Sequence, residues 1–433
     1  MKNQKIAIIT LGCSKNTVES ESVAGLFVKD GFLLTNDVND ADMILIHTCS
    51  FIQDAQVESR IQIENACKMK LERNNLKVFV SGCLPQLLKE KMTAMYPLID
   101  GYTGTGAFGK IVGLVKKNKF FSDTAVAGGM NDSRRRILSG ILPSAYIKIA
   151  EGCNHRCSFC IIPELRGKYK SRNIKSIVDE AKALADAGIR EINVIAQDTT
   201  SYGTDIYGKP RTDKLLKEMS KIKDLKWIRL LYAYPSTVTE SLLETIRENE
   251  NICDYLDIPV QHINKKMLLS MKRPLNTYKI IENIKNKFPE IFLRTSLITG
   301  FPGETEKDFN ELVQFVRKNL FEHVGIFSYS DQKTACSSKL KNKISKAVAE
   351  QRKQILANVQ FENVAKNNSA KNGCEFEVFI ESADNKKAYG RAYFQAPEID
   401  SGIIINNRNK ELIPGTFEKI KITSFKDYDL IGN

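Results

Sequence analysis

Three cysteines confined to one short loop restrict this chain more than any other feature. Cys153, Cys157 and Cys160 are spaced C-x3-C-x2-C and follow Tyr146–Ile149, an apolar run of strand length. Three thiolates from a single loop can hold three irons of a four-iron cluster, since such clusters are ligated by cysteine sulfur. A missing fourth protein ligand leaves one iron open to a small molecule, as catalytic metal sites keep an open position. Zinc is the alternative, with His155 as fourth ligand. His155 lies midway between Cys153 and Cys157, which cramps a tetrahedral site, and no cysteine pair follows at zinc-ribbon spacing.

A second set stands upstream. Cys13, Cys49 and Cys83 each end an apolar run: Ile-Ile-Thr-Leu-Gly-Cys, Leu-Ile-His-Thr-Cys and Phe-Val-Ser-Gly-Cys. Each falls just past the predicted C-terminal end of a parallel strand, where ligand sites of open α/β sheets gather. Residues far apart in sequence converge there, and Gly12 and Gly82 let the backbone turn tightly before two of them. The competing reading is three ordinary buried cysteines; three at equivalent strand ends favour a second cluster with one open iron. Cys67, Cys253, Cys336 and Cys374 have no partner at ligand spacing and are expected to pack as small apolar residues. His47, His262 and His323 beside apolar strands are expected to be hydrogen-bonded structural residues.

The pattern around these sets divides the chain in three. Residues 1–120 alternate strands Ile6–Thr10, Met43–His47 and Val78–Ser81 with helices Val18–Lys29 and Ala55–Asn74, an open parallel βαβ unit. Residues 121–138, with a Gly-Gly pair and Arg134-Arg135-Arg136, form a linker. Residues 139–366 repeat strand and helix about six times, with strands at Tyr146–Ile149, Glu191–Ile195, Ile228–Tyr232, Tyr255–Ile258, Phe292–Ile298 and Val324–Tyr329. Six units fall short of the eight that close a TIM barrel, so a partial (β/α)6 barrel with its site at the C-terminal strand ends is expected. Residues 367–433 change to short alternating strands, a small antiparallel β-barrel.

At 433 residues, with 42% hydrophobic and 27% charged residues, the chain is an ordinary globular composition and not a disordered one. No apolar run approaches the roughly 20 residues of a membrane span, and the first residues lack a signal-peptide pattern. The protein is expected in the reducing cytoplasm, where clustered cysteines mean metal or catalysis. Nothing demands more than a monomer. The net charge of +13 is uneven: +3 over residues 1–119, +11 over 120–366 and −1 over 367–433.

The C-x3-C-x2-C loop after the first of six βα units, with Phe159 before its last cysteine, resembles the radical S-adenosylmethionine superfamily over about residues 140–365. That resemblance implies that S-adenosylmethionine chelates the open iron and is split to a 5′-deoxyadenosyl radical. Two three-cysteine sets followed by a small barrel resemble the methylthiotransferases, which carry an N-terminal cluster domain, a radical core and a TRAM domain. Leu11-Gly-Cys-Ser-Lys-Asn16 with Glu19-Ser-Glu21, Ile149–Pro163 with Arg166-Gly167, Ala196-Gln-Asp-Thr199 and Ala396-Pro-Glu-Ile-Asp400 are similar to the RimO-type branch. The tRNA-modifying MiaB branch prefers a different wording around its first cysteine. One departure is Tyr329-Ser-Asp-Gln-Lys-Thr334, where the family usually has an acidic-Gly-Thr sequence.

The resemblance implies two [4Fe-4S] clusters. One, on Cys153, Cys157 and Cys160, cleaves the cofactor; the other, on Cys13, Cys49 and Cys83, delivers sulfur. It implies a methylthio group added to the β-carbon of an aspartate in ribosomal protein S-twelve, free or in the ribosome. It also implies an electron donor such as flavodoxin or ferredoxin. Cofactor-binding candidates at the barrel rim are Phe159, Gln197, Asp198, Gln261, Ser296 and Gly300. Two alternatives remain: a tRNA adenosine methylthiotransferase, which calls for a basic C-terminal barrel, and a non-catalytic Fe–S ribosome-binding factor.

Overall fold

The computed structural model describes residues 3–117, 119–125, 136–140, 143–406 and 411–433. Its first sheet is parallel throughout. The strands are β1 (Lys5–Thr10), β2 (Leu33–Leu34), β3 (Met43–Thr48), β4 (Lys77–Gly82), β5 (Gly101–Thr103) and β6 (Phe121–Asp123), in spatial order β2-β1-β3-β4-β5-β6. The three predicted strands are β1, β3 and β4; the two predicted helices are α1 (Ser14–Lys29) and α2 (Gln53–Glu72). β3 is buried at every position, as a central parallel strand covered on both faces must be. β2, β5 and β6 are too short to carry a readable alternation.

The stretch 121–138, expected as a linker, is structured at both ends. β6 pairs with β5, and Ile137 N donates to Glu21 O at 3.1 Å while Ser139 N donates to the Glu21 carboxylate at 2.9 Å. Residues 126–135, including Arg134 and Arg135, lie outside the described residues.

The middle of the chain opens with β7 (Ser144–Lys148) and a two-stranded ribbon, β8 (Ala150–Glu151) with β9 (Lys170–Ser171), that brackets the cysteine loop. Next come β10 (Glu191–Ile195), β11 (Trp227–Leu230), β12 (Ile252–Asp257), β13 (Phe292–Thr299) and β14 (His323–Ser328). β7 and β10 to β14 form one parallel sheet in strict chain order, the partial barrel that six βα units predict. Its helices start where the sequence supplies caps. Asn173 accepts from Ser176 N, and Thr305 and Asp308 form a reciprocal capping box. A long helix, Lys346–Ser369, packs on β14 and on helix Glu306–Arg317, with Asn363 donating to Val316 O at 2.7 Å. Among the described residues no helix is long and apolar enough to cross a membrane.

The last segment closes into a barrel of β15 (Glu375–Ala383), β16 (Lys387–Ala392), β17 (Ile403–Asn406), β18 (Phe417–Lys426) and β19 (Asp429–Gly432). Its pairings are antiparallel except the β17–β19 seam, which is parallel. This barrel grips the partial barrel through inward-facing charges. Arg391 donates to both Glu191 oxygens at 3.1 and 2.6 Å, and Arg229 adds a bond to Glu191 at 3.2 Å. Asp400, in the loop between β16 and β17, accepts from Tyr255 at 2.7 Å and Arg294 at 3.2 Å. Trp227 packs edge-on against Phe417 beside these ions.

Burial pushes the Glu191 pKa up, but Arg391 and Arg229 together bring it down to about 2. The stability this carboxylate contributes is therefore complete above its ordinary value of 4.5 and is lost as pH falls toward 2. Replacing Glu191 by Ala leaves buried Arg229 without a carboxylate and Arg391 with Glu381 alone, and should cost about 3–5 kcal/mol in thermal or denaturant unfolding. The gap between wild type and Glu191→Gln should narrow as pH is lowered from 4.5 toward 2; a gap that stays constant over that window would contradict the assignment.

Candidate active site

Each cysteine of the first set stands where a strand of the parallel sheet gives way to the next element. Cys13 is the N-cap of α1, Cys49 comes directly after β3, and Cys83 opens helix α3 (Cys83–Leu88) at the end of β4. Positive φ at Gly12 (96°) and Gly82 (97°) makes this geometry possible. A Cβ on Gly12 would meet Cys49 Cβ at 2.6 Å and its sulfur at 2.9 Å; one on Gly82 would meet Thr48 O at 2.6 Å. Asn16 staples the loops, donating to Leu11 O at 2.7 Å and Thr48 O at 3.1 Å. The three thiols lie close enough to act on one another electrostatically.

The second set sits on the loop between β8 and β9. Gly152, at φ 77°, brings the loop so near Lys168 O that a Cβ would approach it to 2.3 Å. Cys153 N donates to Gly167 O, Ser158 N to Met271 O and Ser337 N to Ser158 O, so the loop is tied at three points. Phe159 packs into the cluster of Met267, Met271 and Phe301. His155 is held on both sides: its Nε2 bonds Asp198 at 2.7 Å and its ring stacks on Tyr234 at 3.5 Å. Among the described residues no three His, Cys, Asp or Glu side chains converge to hold a single metal ion.

Both sets have the donor chemistry of a cluster site. Burial raises the thiols of Cys49, Cys83 (to about 12), Cys153 (to about 11) and Cys160 (to about 12), so bound iron would have to displace their protons. A guanidinium touches one sulfur of each set. Arg166 Nη2 stands 3.4 Å from Cys83 Sγ, and Arg273 Nη1 stands 3.7 Å from Cys157 Sγ. Such donors stabilise negative charge on cluster sulfur.

Between the two sets lies a buried ion network. Glu19 of α1 accepts from Lys148 of β7 at 2.6 Å, from Arg166, and from His47 Nε2 at 3.1 Å. Glu151 of β8 accepts from the same Lys148 at 2.6 Å, from Arg166 at 3.2 Å, and from Gln197 at 2.8 Å. Arg166 also donates to Asn16 at 2.8 Å. Burial pushes Glu19 up, but Arg166, Lys148 and His47 hold it well below the usual carboxylate range. One guanidinium therefore touches Asn16 and Glu19 of the first segment, Glu151 of the second, and the sulfur of Cys83.

The rim candidates divide by what the geometry asks of them. Gln197 lies in the network, and its Oε1 is buried with no partner, as is Arg273 Nε; a polar cofactor offering a donor and an acceptor fits these two atoms. Asp198 is filled by His155, Thr200 and Ser201, which holds its pKa down despite burial. Gln261 adopts φ 70° and bridges to β13, its N donating to Ser296 O at 2.8 Å. Ser296 shares the half-buried face of β13 with Arg294, at 3.5 Å. At Gly300 packing sets the demand, since a Cβ would stand 2.3 Å from Ala349 Cβ.

Sequence reasoning passed over Arg166, Glu19 and Glu151, although all three stand in the quoted motifs, and missed Lys148, Arg273 and Tyr234. Nothing in one sequence tells a buried charge from a solvated one. The segment Tyr329–Thr334 ties the barrel to α2: Gln53 donates to Asp331 O at 3.0 Å and Gln56 to Gln332 at 2.9 Å. Of the four lone cysteines, Cys67 and Cys253 are buried as expected. Cys336 and Cys374 are exposed, so apolar packing does not account for them.

Known proteins match this architecture piece by piece. The radical SAM superfamily model covers residues 147–316, Uncharacterized protein family UPF0004 covers 5–104, and the TRAM domain covers 373–433. Ribosomal protein uS12 methylthiotransferase RimO of Endomicrobium trichonymphae is 51% identical over 99% of this chain and 98% of its own length. The protein of the same name from Thermoanaerobacter sp. (strain X514) is 44% identical over the whole of both chains.

The chain belongs to the RimO family. It is a radical SAM methylthiotransferase. Among solved structures the radical S-adenosylmethionine methyltransferase TsrM from Kitasatospora setae, with cobalamin and a [4Fe-4S] cluster bound, shares the fold. Its TM-score is 0.55 at 14% identity, covering 76% of this chain and 72% of that one. In this RimO-family chain the ion network joins α1, which follows Cys13, to the strands that flank the second cysteine set. Glu19→Ala leaves Lys148 and Arg166 one carboxylate short and should destabilise by about 3–5 kcal/mol. Adding Lys148→Met should recover part of that loss; purely additive losses in denaturant unfolding would contradict a shared network.

Proposed function

We propose that this chain adds a methylthio group to the β-carbon of an aspartate in ribosomal protein uS12. The relatives are named for that substrate. The reading uses S-adenosylmethionine and two [4Fe-4S] clusters, one on Cys153, Cys157 and Cys160 and one on Cys13, Cys49 and Cys83. The observation that carries it is the pair of three-cysteine sets, each with one guanidinium on a sulfur, joined by a buried ion network.

A C–H beside an ionised carboxylate is scarcely acidic, so proton removal at neutral pH is a poor route and a radical route avoids it. When bound, the clusters and S-adenosylmethionine would supply the 5′-deoxyadenosyl radical and the methylthio sulfur. This chain's own residues do the rest. Gln197 Oε1 and Arg273 Nε offer an acceptor and a donor to the cofactor's polar end. Asp198 orients His155, whose ring with Tyr234 makes a flat wall beside Cys157. Arg273 stacks on Tyr234, 4.3 Å from its ring, and is anchored there by donating to Pro259 O. The functional division at 1–120, 139–366 and 367–433 accords with these roles, with electrons from a donor such as flavodoxin or ferredoxin and action in the cytoplasm beside the ribosome.

Anaerobic incubation with S-adenosylmethionine, sulfide and a reductant tests the reading when a uS12 loop peptide and an anticodon stem-loop compete in one tube. Mass spectrometry should find one SCH2 unit on the peptide aspartate; the same gain on the RNA would overturn the substrate. Replacing Cys13, Cys49 and Cys83 together by Ala should leave about half the iron and 5′-deoxyadenosine formation while ending methylthiolation. Replacing Cys153, Cys157 and Cys160 should end both.

A further inference from the structure

Among the described residues the buried cations Lys15 and Arg273 face no carboxylate, and of these two Lys15 has no hydrogen-bond acceptor either. Lys15, two residues after Cys13, is 6% exposed. Lys148, Arg166, Arg172, Arg229, Arg352 and Arg391, also buried, each face a carboxylate. Arg273 is held by Pro259 O and the Cys157 sulfur. Among the described residues Lys15 has neither a carboxylate nor a carbonyl; its ammonium lies over the face of Tyr232, 2.8 Å from the ring centroid. An aromatic face attracts an ammonium without neutralising it and leaves its N–H donors available.

Tyr232 is itself held in an unusual place. It adopts φ 62°, a left-handed conformation rare for an aromatic residue. Asp257 accepts from its N at 3.1 Å, Thr199 N donates to its O at 3.0 Å, and its hydroxyl stands 3.4 Å from Ser14 Oγ. Tyr234, two residues on, reaches the His155 ring and the Cys157 sulfur. Lys15 therefore spans from the first cysteine set to the segment that lines the second. Any C–H that meets a radical from one set and takes sulfur from the other must sit in this space. Arg166, not Lys15, is the cation acting on the Cys49 and Cys83 thiols.

We infer that Lys15, held by Tyr232, receives the side-chain carboxylate of the substrate aspartate and so selects aspartate over its neutral amide. The inference rests on the proposed methylthiolation of an aspartate and names the residue that recognises it. Lys15 acts by binding the carboxylate; the reacting β-carbon is the next atom along, so the contact fixes which hydrogen is presented.

Iron-loaded wild type, Lys15→Met and Lys15→Arg test it, each given the uS12 loop peptide with Asp and the same peptide with Asn at the modified position. Iron content and visible absorption show that the variants are folded and loaded. Peptide dissociation constants are measured by fluorescence anisotropy, and KM and kcat by mass spectrometry. Wild type should bind the Asp peptide about 10- to 100-fold more tightly than the Asn peptide, the range for a charge-assisted hydrogen bond. Lys15→Met should lose that preference through a raised dissociation constant and KM for the Asp peptide alone, and Lys15→Arg should keep part of it. An equal loss for both peptides, or a changed absorption spectrum with the preference intact, would overturn the inference and assign Lys15 to the cysteine set. Wild type that modifies neither peptide would instead overturn the proposed substrate, and the inference with it.

Discussion

The guanidinium of Arg166 is the most heavily shared contact between the two segments that carry the cysteine sets. It lies in a helix of five residues, Ile162–Arg166, directly after the C-x3-C-x2-C loop, yet its contacts are with Asn16, Glu19 and Cys83 of the first sheet as much as with Glu151 of its own segment. A charge this deeply buried is tolerated only when fully paired. Pairing it requires α1, α3 and β8 to stand in one arrangement. The cost of leaving it unpaired is what fixes the open parallel sheet against the mouth of the partial barrel, with the C-terminal strand ends of both facing the same space.

The opposite end of the partial barrel is held by a second set of ions. The small C-terminal barrel packs on the strands of the partial barrel there, with Arg391 on Glu191 of β10 and Asp400 on Tyr255 of β12 and Arg294 of β13. The net charge of −1 over residues 367–433 thus belongs to a module whose buried charges serve the core. A tRNA-binding role would require a basic face on it.

The six cysteines were legible because spacing and strand-end position are properties of sequence alone. So was the six-fold barrel, since Val- and Ile-rich strands such as Glu191–Ile195 alternate with capped amphipathic helices. The short edge strands were not, because Leu33–Leu34 has no period to read. Neither were the roles of Lys148, Glu151 and Arg273: in sequence each is one more charged residue in a basic segment, and only tertiary burial makes it a partner of a sulfur or of an opposite charge. Gly300 carries a packing demand that one sequence does not show: it admits Ala349 of the long helix.

Electron paramagnetic resonance of the reduced, iron-loaded protein tests most directly whether the two cysteine sets form one site. The spectrum of wild type should differ from the sum of spectra from the two variants that each lack one three-cysteine set, because neighbouring paramagnetic clusters interact. A wild-type spectrum that equals that sum would mean two independent centres, and the ion network through Arg166 would then join two domains without joining their chemistry.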